Sequence, residues 1–382
     1  MSVSSHMAQV RNIAVLAHVD AGRTTTTERI LALADRSRAH GEERGITLTA
    51  AAVTCAWRDH ELTIVDTPSS AVHGADARRA LAAADGAVAL VDAAIGVEPQ
   101  LEALWRLADE KGLARLVFVN KMDRADADFS GAVAAIAARL GARPLVLALP
   151  LGSGEGFTGL IDLVGMRVLS WKAMPFGAAF TEEAVPADRL AEAEAARAAL
   201  VAAVAPAGEG LAALVAAIRA AVMNGAVAVL AGSAFRNRGI QPLLDAVVDY
   251  LPSPADIQTV RLHDMASGAI VTRPANDDAP LTAFAFKAGM DPVAGSLVFA
   301  RLFAGSVAAG AEIANAATGR TGRVARVLRF GASDRIELAK ASAGDIVALG
   351  GLDDARAGDT LTAPGETALV EPRTEQVRSK SA

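Results

Sequence analysis

Apolar residues in the first 150 positions fall in short runs at 13–17, 62–65, 87–91, 116–119 and 145–149. Each run is nearly free of polar positions, as expected of strands buried on both faces. The stretches between them, 24–34, 75–84, 99–110 and 131–140, space their apolar residues three and four apart, which predicts helices. Such alternation predicts an α/β fold, a largely parallel sheet covered by helices. Ligands in that architecture sit beyond the carboxyl ends of the strands.

The pattern changes at about Leu151. Gly152, Gly154, Gly156 and Gly159 mark turns, and Ala/Glu/Arg-rich helices are predicted at 187–204 and 211–222. This reads as an insertion over about 151–222. A strand at 227–230 and a helix at 240–250 resume the first pattern. Pro252 and Pro254 then stop the helix. Residues 255–280 read as a polar linker. Short strands at 282–287, 296–303, 323–329 and 346–349, divided by Gly and Asp turns, predict a small β-barrel over 281–364. The organisation expected is a tail at 1–10, an α/β domain at 11–254, the linker, the barrel, and a tail at 365–382.

Composition narrows the picture. The chain has 382 residues, a net charge of −6 and one cysteine, Cys55. A disulfide framework and a cysteine zinc site are excluded, and a reducing cytoplasmic setting fits. The acidic balance argues against an overall electrostatic grip on DNA or RNA. The longest apolar region, 211–232, is interrupted by Arg219, Asn224 and Gly225, so it reads as helix plus strand, not as a membrane span. Ser4, Ser5, His6 and Met7 read as an expression-vector remnant.

The chemistry concentrates at strand ends. AHVDAGRT at 17–24 follows the first strand and opens a helix. It approximates the phosphate-binding pattern G-x-x-x-x-G-K-[ST], with Ala17 at the first glycine, Gly22 at the second, Arg23 in place of lysine and Thr24 last. Backbone N–H groups and the helix dipole favour an anion there. Asp66-Thr67-Pro68 follows the second strand, where an Asp can hold Mg²⁺ through water. Asn120-Lys121-Met122-Asp123 follows the strand at 116–119. Asp123 can accept both donors on the guanine edge, Asn120 can hold the loop, and the Lys121 stem can lie over the base. Gly232-Ser233-Ala234 is a small-residue loop whose N–H groups can approach the guanine oxygen. Thr47, in Arg44-Gly45-Ile46-Thr47, can reach Mg²⁺ and a γ-phosphate. Arg320, Arg323, Arg326 and Arg329 form a basic run suited either to RNA phosphates or to a solvated barrel face. Cys55 has no obvious activator and reads as structural.

Taken in order, these segments resemble elongation factor G, a translational GTPase. RNIAVLAHVDAGRTTTTERIL, RGITLTAAAVTCAW, DGAVALVDAAIGVEPQ, FVNKMDRADADF, GSAFRNRGIQPLLDAVVDYLPSP and LTAFAFKAGMDPVAGSLVFARLFAGS carry the likeness, and so does the start of the insertion, LPLGSGEGFTGLIDLV. The resemblance implies a P-loop GTPase domain with a helical insertion, followed by a translation-factor β-barrel. It implies GTP or GDP and Mg²⁺ as cofactors and the ribosome as a partner of the barrel. By it, Asp20, Ala21, Gly22, Arg23, Thr24 and Thr25 would cradle the phosphates. Thr24, Thr47 and Asp66 would hold Mg²⁺, and Asn120, Lys121, Asp123, Ser233 and Ala234 would read guanine.

Four departures qualify it. Arg23 replaces the loop lysine, which is not a conservative exchange in a tight loop. The family's DTPGH is DTPSS here, so Ser69 replaces the switch glycine and Ser70 the histidine that positions water. The segment between Thr24 and Thr47 is short. The chain ends at LVEPRTEQVRSKSA, which looks like the first strand of the family's third domain. The expectation is a guanine-nucleotide-binding relative with slow or lost hydrolysis that is not a competent translocase. The alternative is a non-catalytic ribosome- or partner-binding module derived from such a factor.

Overall fold

The computed structural model describes residues 3–38, 50–68, 74–171, 179–265, 267–332 and 334–370. Thr47, Ser69 and Ser70 lie outside these residues. The central sheet has seven strands, in the order Ala52–Trp57, His60–Val65, Val10–Ala17, Gly86–Asp92, Ala114–Asn120, Ala226–Ala231 and Arg143–Val146. All neighbours run parallel except the first pair. Alternate residues of Val10–Ala17 serve the two faces. Ile13 and Val15 pack under the helices Arg23–Arg38, Leu211–Met223 and Ile240–Tyr250. Ala14 and Leu16 pack under Gly74–Ala83, Pro99–Glu110 and Phe129–Leu140. Burial on both faces is the reason these strands read as unbroken apolar runs.

The edge strand Ala52–Trp57 is not among the elements expected from the sequence. It joins His60–Val65 through Arg58 and Asp59, with Arg58 at φ +51°. Hairpin turns of this kind usually advertise themselves with Gly or Asn, and this one does not. The run at 145–149 is divided between two sheets: Arg143–Val146 stays in the central one, and Ala148–Leu151 starts another. That second, antiparallel sheet continues with Gly159–Asp162, Arg167–Ser170 and Thr181–Glu183. The insertion therefore opens as a sheet before its helices Ala187–Val204 and Leu211–Met223.

The expected linker at 255–280 carries two strands, Thr259–Asp264 and Ile270–Pro274. Ala368–Val370, from the expected tail, pairs with the first of them. Leu262 at the centre is fully buried. Two apolar positions, Val260 and Leu262, alternate with polar and charged neighbours, and so brief a period-two signal is why the stretch reads as polar. The barrel's main sheet has eight strands, built around the long hairpin Thr282–Asp291 and Gly295–Ala304. The expected strand at 323–329 is two strands, Thr321–Arg323 and Arg326–Phe330. Among the described residues, no helix is long and apolar enough to cross a membrane.

The barrel docks directly on the α/β domain. Phe286, Leu297, Phe299, Leu328 and Ile346 share a buried cluster with Ala51, Ala52, Val65, Ala80 and Ala83. Asp85 lies at the centre of a buried polar lock. Arg301 Nη2 donates to its Oδ1 at 3.1 Å, and Nη1 lies 3.0 Å from Oδ2. Asn12 Nδ2 donates to Asp85 Oδ2 at 2.9 Å and to the Gly344 carbonyl at 3.0 Å.

Residues 3–10, within the expected tail at 1–10, are not simply a tail. Val3–Gln9 is helical, the first strand begins at Val10, and Met7 is buried. His6 Nε2 lies 2.8 Å from Asp345 Oδ1 of the barrel. Hydrogen bonding to Asp345 raises the His6 pKa above 6.5, against the opposing effect of burial. Arg329 also turns inward. It pairs with Glu61 at 2.7 Å and Asp345 at 3.3 Å, so it is removed from the expected RNA-facing set. Arg323 and Arg326 remain exposed, as does Arg320, 3.5 Å from Asp354.

Candidate functional site

Three loops at the carboxyl edge of the central sheet come together, after Val10–Ala17, Ala114–Asn120 and Ala226–Ala231. The first follows Val10–Ala17. It turns through Asp20 at φ +66° and Gly22 at φ +92°, and the helix Arg23–Arg38 then begins. Gly22 closes the first helical turn by accepting from Thr26 N at 2.8 Å. The preceding N–H groups have no acceptor within a helix and are left to meet an anion. A Cβ on Gly22 would stand 2.5 Å from Asn120 Nδ2, so glycine is required by space as well as by φ.

Asn120 ties this loop to two others. Its Nδ2 donates to the Ala21 carbonyl at 2.9 Å, and its Oδ1 accepts from Ala234 N at 2.9 Å. The side chain is buried, so both bonds count at close to the full cost of leaving a polar group unpaired. Ser233 Oγ donates to Asp123 Oδ1 at 2.6 Å. Met122 N reaches the Gly232 carbonyl at 3.0 Å, and Gly232 N reaches Val119 O at 2.9 Å. A side chain on Gly232 would collide with the Arg238 carbonyl and the Phe118 ring.

Lys121, at φ +64°, places Nζ 2.8 Å from Asp92 Oδ2. Burial alone would raise the Asp92 pKa. The bond from Lys121, the Ala94 N–H and the nearby Arg124 outweigh it, and the net shift is downward. The Lys121 stem is thereby held along the cavity wall.

These loops enclose a cavity of about 470 Å³. Asp20, Gly22, Arg23, Thr24 and Thr25 line one side, and Asn120, Lys121, Asp123 and Ala234 line the other. Ala21 and Ser233 are fully buried behind the wall and act through their neighbours. Four further lining residues are not singled out by the sequence: His18, Val19, Arg124 and Phe235. His18 is buried, with Nδ1 2.6 Å from Val19 O and 2.7 Å from Glu98 Oε2. Its place inside AHVDAGRT is the available signal. Phe235 is 68% exposed at the rim. It directly follows the Gly232–Ala234 loop, and nothing in its spacing distinguishes it from an ordinary turn residue.

Asp66 does not line this cavity. Its Oδ1 lies 3.4 Å from Arg23 Nη1, and half of its side chain is exposed. Thr24 lines the cavity and Thr47 is outside the described residues. Of the expected magnesium set, the cavity thus holds Thr24 among the described residues.

A strand–loop–helix turn beneath a cavity at the carboxyl edge of a parallel sheet defines the class of P-loop nucleotide-binding proteins. The model of the elongation factor Tu GTP binding domain matches residues 8–253, and that of elongation factor Tu domain 2 matches residues 295–362. The chain belongs to the elongation factor Tu-type family of translational GTPases. A domain of this family implies binding of GTP or GDP. A crystal structure of a protein from Thermus thermophilus matches with a TM-score of 0.77 at 25% identity. The match covers 96% of this chain and 56% of that one, so the chain spans little more than half the length of that relative.

Proposed function

We propose that this chain binds guanine nucleotide in the 470 Å³ cavity, hydrolyses it slowly or not at all, and does not work as a translocase. The observation that carries the reading is the Asn120 clasp. One side chain joins the phosphate-side loop at Ala21 to the base-side loop at Ala234. Both halves of a nucleotide site are thereby held in register. Asp123 stands at the base end with Oδ1 engaged by Ser233, which orients its carboxylate as an acceptor for the guanine N–H pair. The phosphates would meet the N–H groups of Gly22 to Thr25 and the guanidinium of Arg23. Slow hydrolysis is inferred from sequence: a serine hydroxyl at position 70 is too short to orient water as an imidazole does. Contact with ribosomal RNA through Arg320, Arg323 and Arg326 belongs to the same reading, supported by their exposure.

The test is equilibrium binding of fluorescent GDP and GTP, with competition by unlabelled GDP and ADP. The wild-type chain is expected to prefer guanine, and Asp123→Asn to lose that preference by about tenfold or more. Phosphate release with ribosomes is expected to stay near background. Equal competition by ADP, or turnover matching an intact translocase, would overturn the proposal.

A further inference from the structure

We infer that the helix Val3–Gln9 is a latch across the joint between the α/β domain and the barrel, closed when His6 is protonated and loosened when it is not. Three segments meet at this helix. A Cβ on Gly344 of the barrel would stand 3.0 Å from Pro254 Cβ, at the end of the α/β domain, and 3.3 Å from Met7 Cγ. One residue along from that contact on each side, His6 Nε2 donates to Asp345 Oδ1 at 2.8 Å. Asp345 is buried, and its Oδ2 accepts from Ser342 N at 2.8 Å. Arg329 is its fixed positive neighbour. Nη2 lies 3.3 Å from the same Oδ1, while Nη1 donates to Glu61 Oε2 at 2.7 Å. Arg329 thus divides one charge between a carboxylate of the central sheet and one of the barrel.

A buried carboxylate is costly unless its charge is compensated and its oxygens are hydrogen-bonded. Protonated His6 completes the compensation of Asp345 through a charge-assisted bond, roughly twice as strong as a neutral one. The groups facing the His6 ring are Asp345 and Arg329 from the barrel and Glu61 from the central sheet. Of these four, His6 is the side chain whose charge changes near neutral pH. On the turn Pro254–Asp256, against which the helix packs, the Asp256 carboxylate is engaged by Ser253 and Arg219. Arg11 donates to the Ala8 carbonyl near the end of the helix. The bond to Asp345 raises the His6 pKa above 6.5, burial opposes it, and Glu61 adds to the rise. A pKa raised on folding means stabilisation that is complete below 6.5 and is lost as pH climbs through the raised value. The latch is therefore closed on the acid side and eases on the alkaline side. The neighbouring lock of Asn12, Asp85 and Arg301 contains no histidine, so it holds in both conditions.

The experiment is NMR titration of the His6 ring in the full chain, with amide hydrogen exchange at Ser342 compared at about pH 6 and about pH 8 after correction for intrinsic rates. Ser342 N reports on the seating of Asp345, to which it donates. The His6 midpoint is expected above 6.5, and Ser342 protection is expected to fall by about threefold or more between the two conditions. His6→Lys carries a permanent cation and is expected to hold protection level within about twofold. His6→Gln is expected to show the weaker, alkaline level in both conditions. A His6 midpoint at or below 6.5 overturns the inference. So does a loss of protection on the alkaline side that His6→Lys or His6→Gln reproduces in full.

Discussion

Gly22 shows how much of the site one residue can decide. Its φ of +92° is disfavoured for any residue with a side chain, and the space a Cβ would need is taken by Asn120. Gly22→Ala is expected to cost about 1–3 kcal/mol in stability. It should also weaken fluorescent GDP binding by about tenfold or more, because Asn120 must move off Ala21. Unchanged affinity would mean that the Asn120 clasp is not what sets the loops. At this scale the sequence is a good guide where chemistry is local. Asn120, Asp123 and most of the loop Asp20–Thr25 reach the cavity. Guidance fails where direction matters. Arg329 looks like its neighbours in a basic run, but it faces Glu61 and Asp345, of which Glu61 is distant in sequence. Asp66 sits in a motif that points to a metal, and its side chain faces Arg23.

Elements are legible in proportion to how fully they are buried. The inner strands of the central sheet are continuous apolar runs and stand out, as does the helix Ile240–Tyr250. Edge elements hide for lack of a local signal: Ala52–Trp57 is mostly apolar and buried, but its turn at Arg58 and Asp59 carries no Gly or Asn, and strands with a polar face resemble loops. Thr259–Asp264 shows the same masking, with Val260 and Leu262 inward and polar or charged residues outward. Leu262 is the keystone of its small three-stranded sheet. Leu262→Ala is expected to destabilise by about 2–5 kcal/mol in denaturant unfolding. It should also open residues 255–280 to protease cleavage. Resistance equal to wild type would show that the strands do not depend on this packing.

At the scale of the molecule, the barrel and the α/β domain meet through an apolar cluster and a buried ion pair. That pairing is not legible in the sequence, since it joins positions more than two hundred residues apart with no local pattern. Arg301→Ala would leave the Asp85 carboxylate buried beside Asn12 without its charge partner. A loss of about 3–5 kcal/mol is expected, read as a lower midpoint of thermal or denaturant unfolding. A change under about 0.5 kcal/mol would mean that water reaches Asp85 and replaces the arginine. The docking also bears on the candidate site, because the Ala51 carbonyl accepts from Asp66 N at 2.9 Å and Ala51 belongs to the cluster under the barrel. A displacement of Asp66 is thus a displacement at the interface.

The lock of Asn12, Asp85 and Arg301 also restricts the mutational routes open to this chain. Loss of Arg301 strands a carboxylate, loss of Asp85 strands a guanidinium, and exchange of Asn12 leaves the Gly344 carbonyl without its donor. Each single step is expected to lower stability until a compensating second step restores it, even where a wholly apolar trio would serve as well. The three side chains therefore act as one unit, and a change at any of them is a change in how firmly the domains are joined.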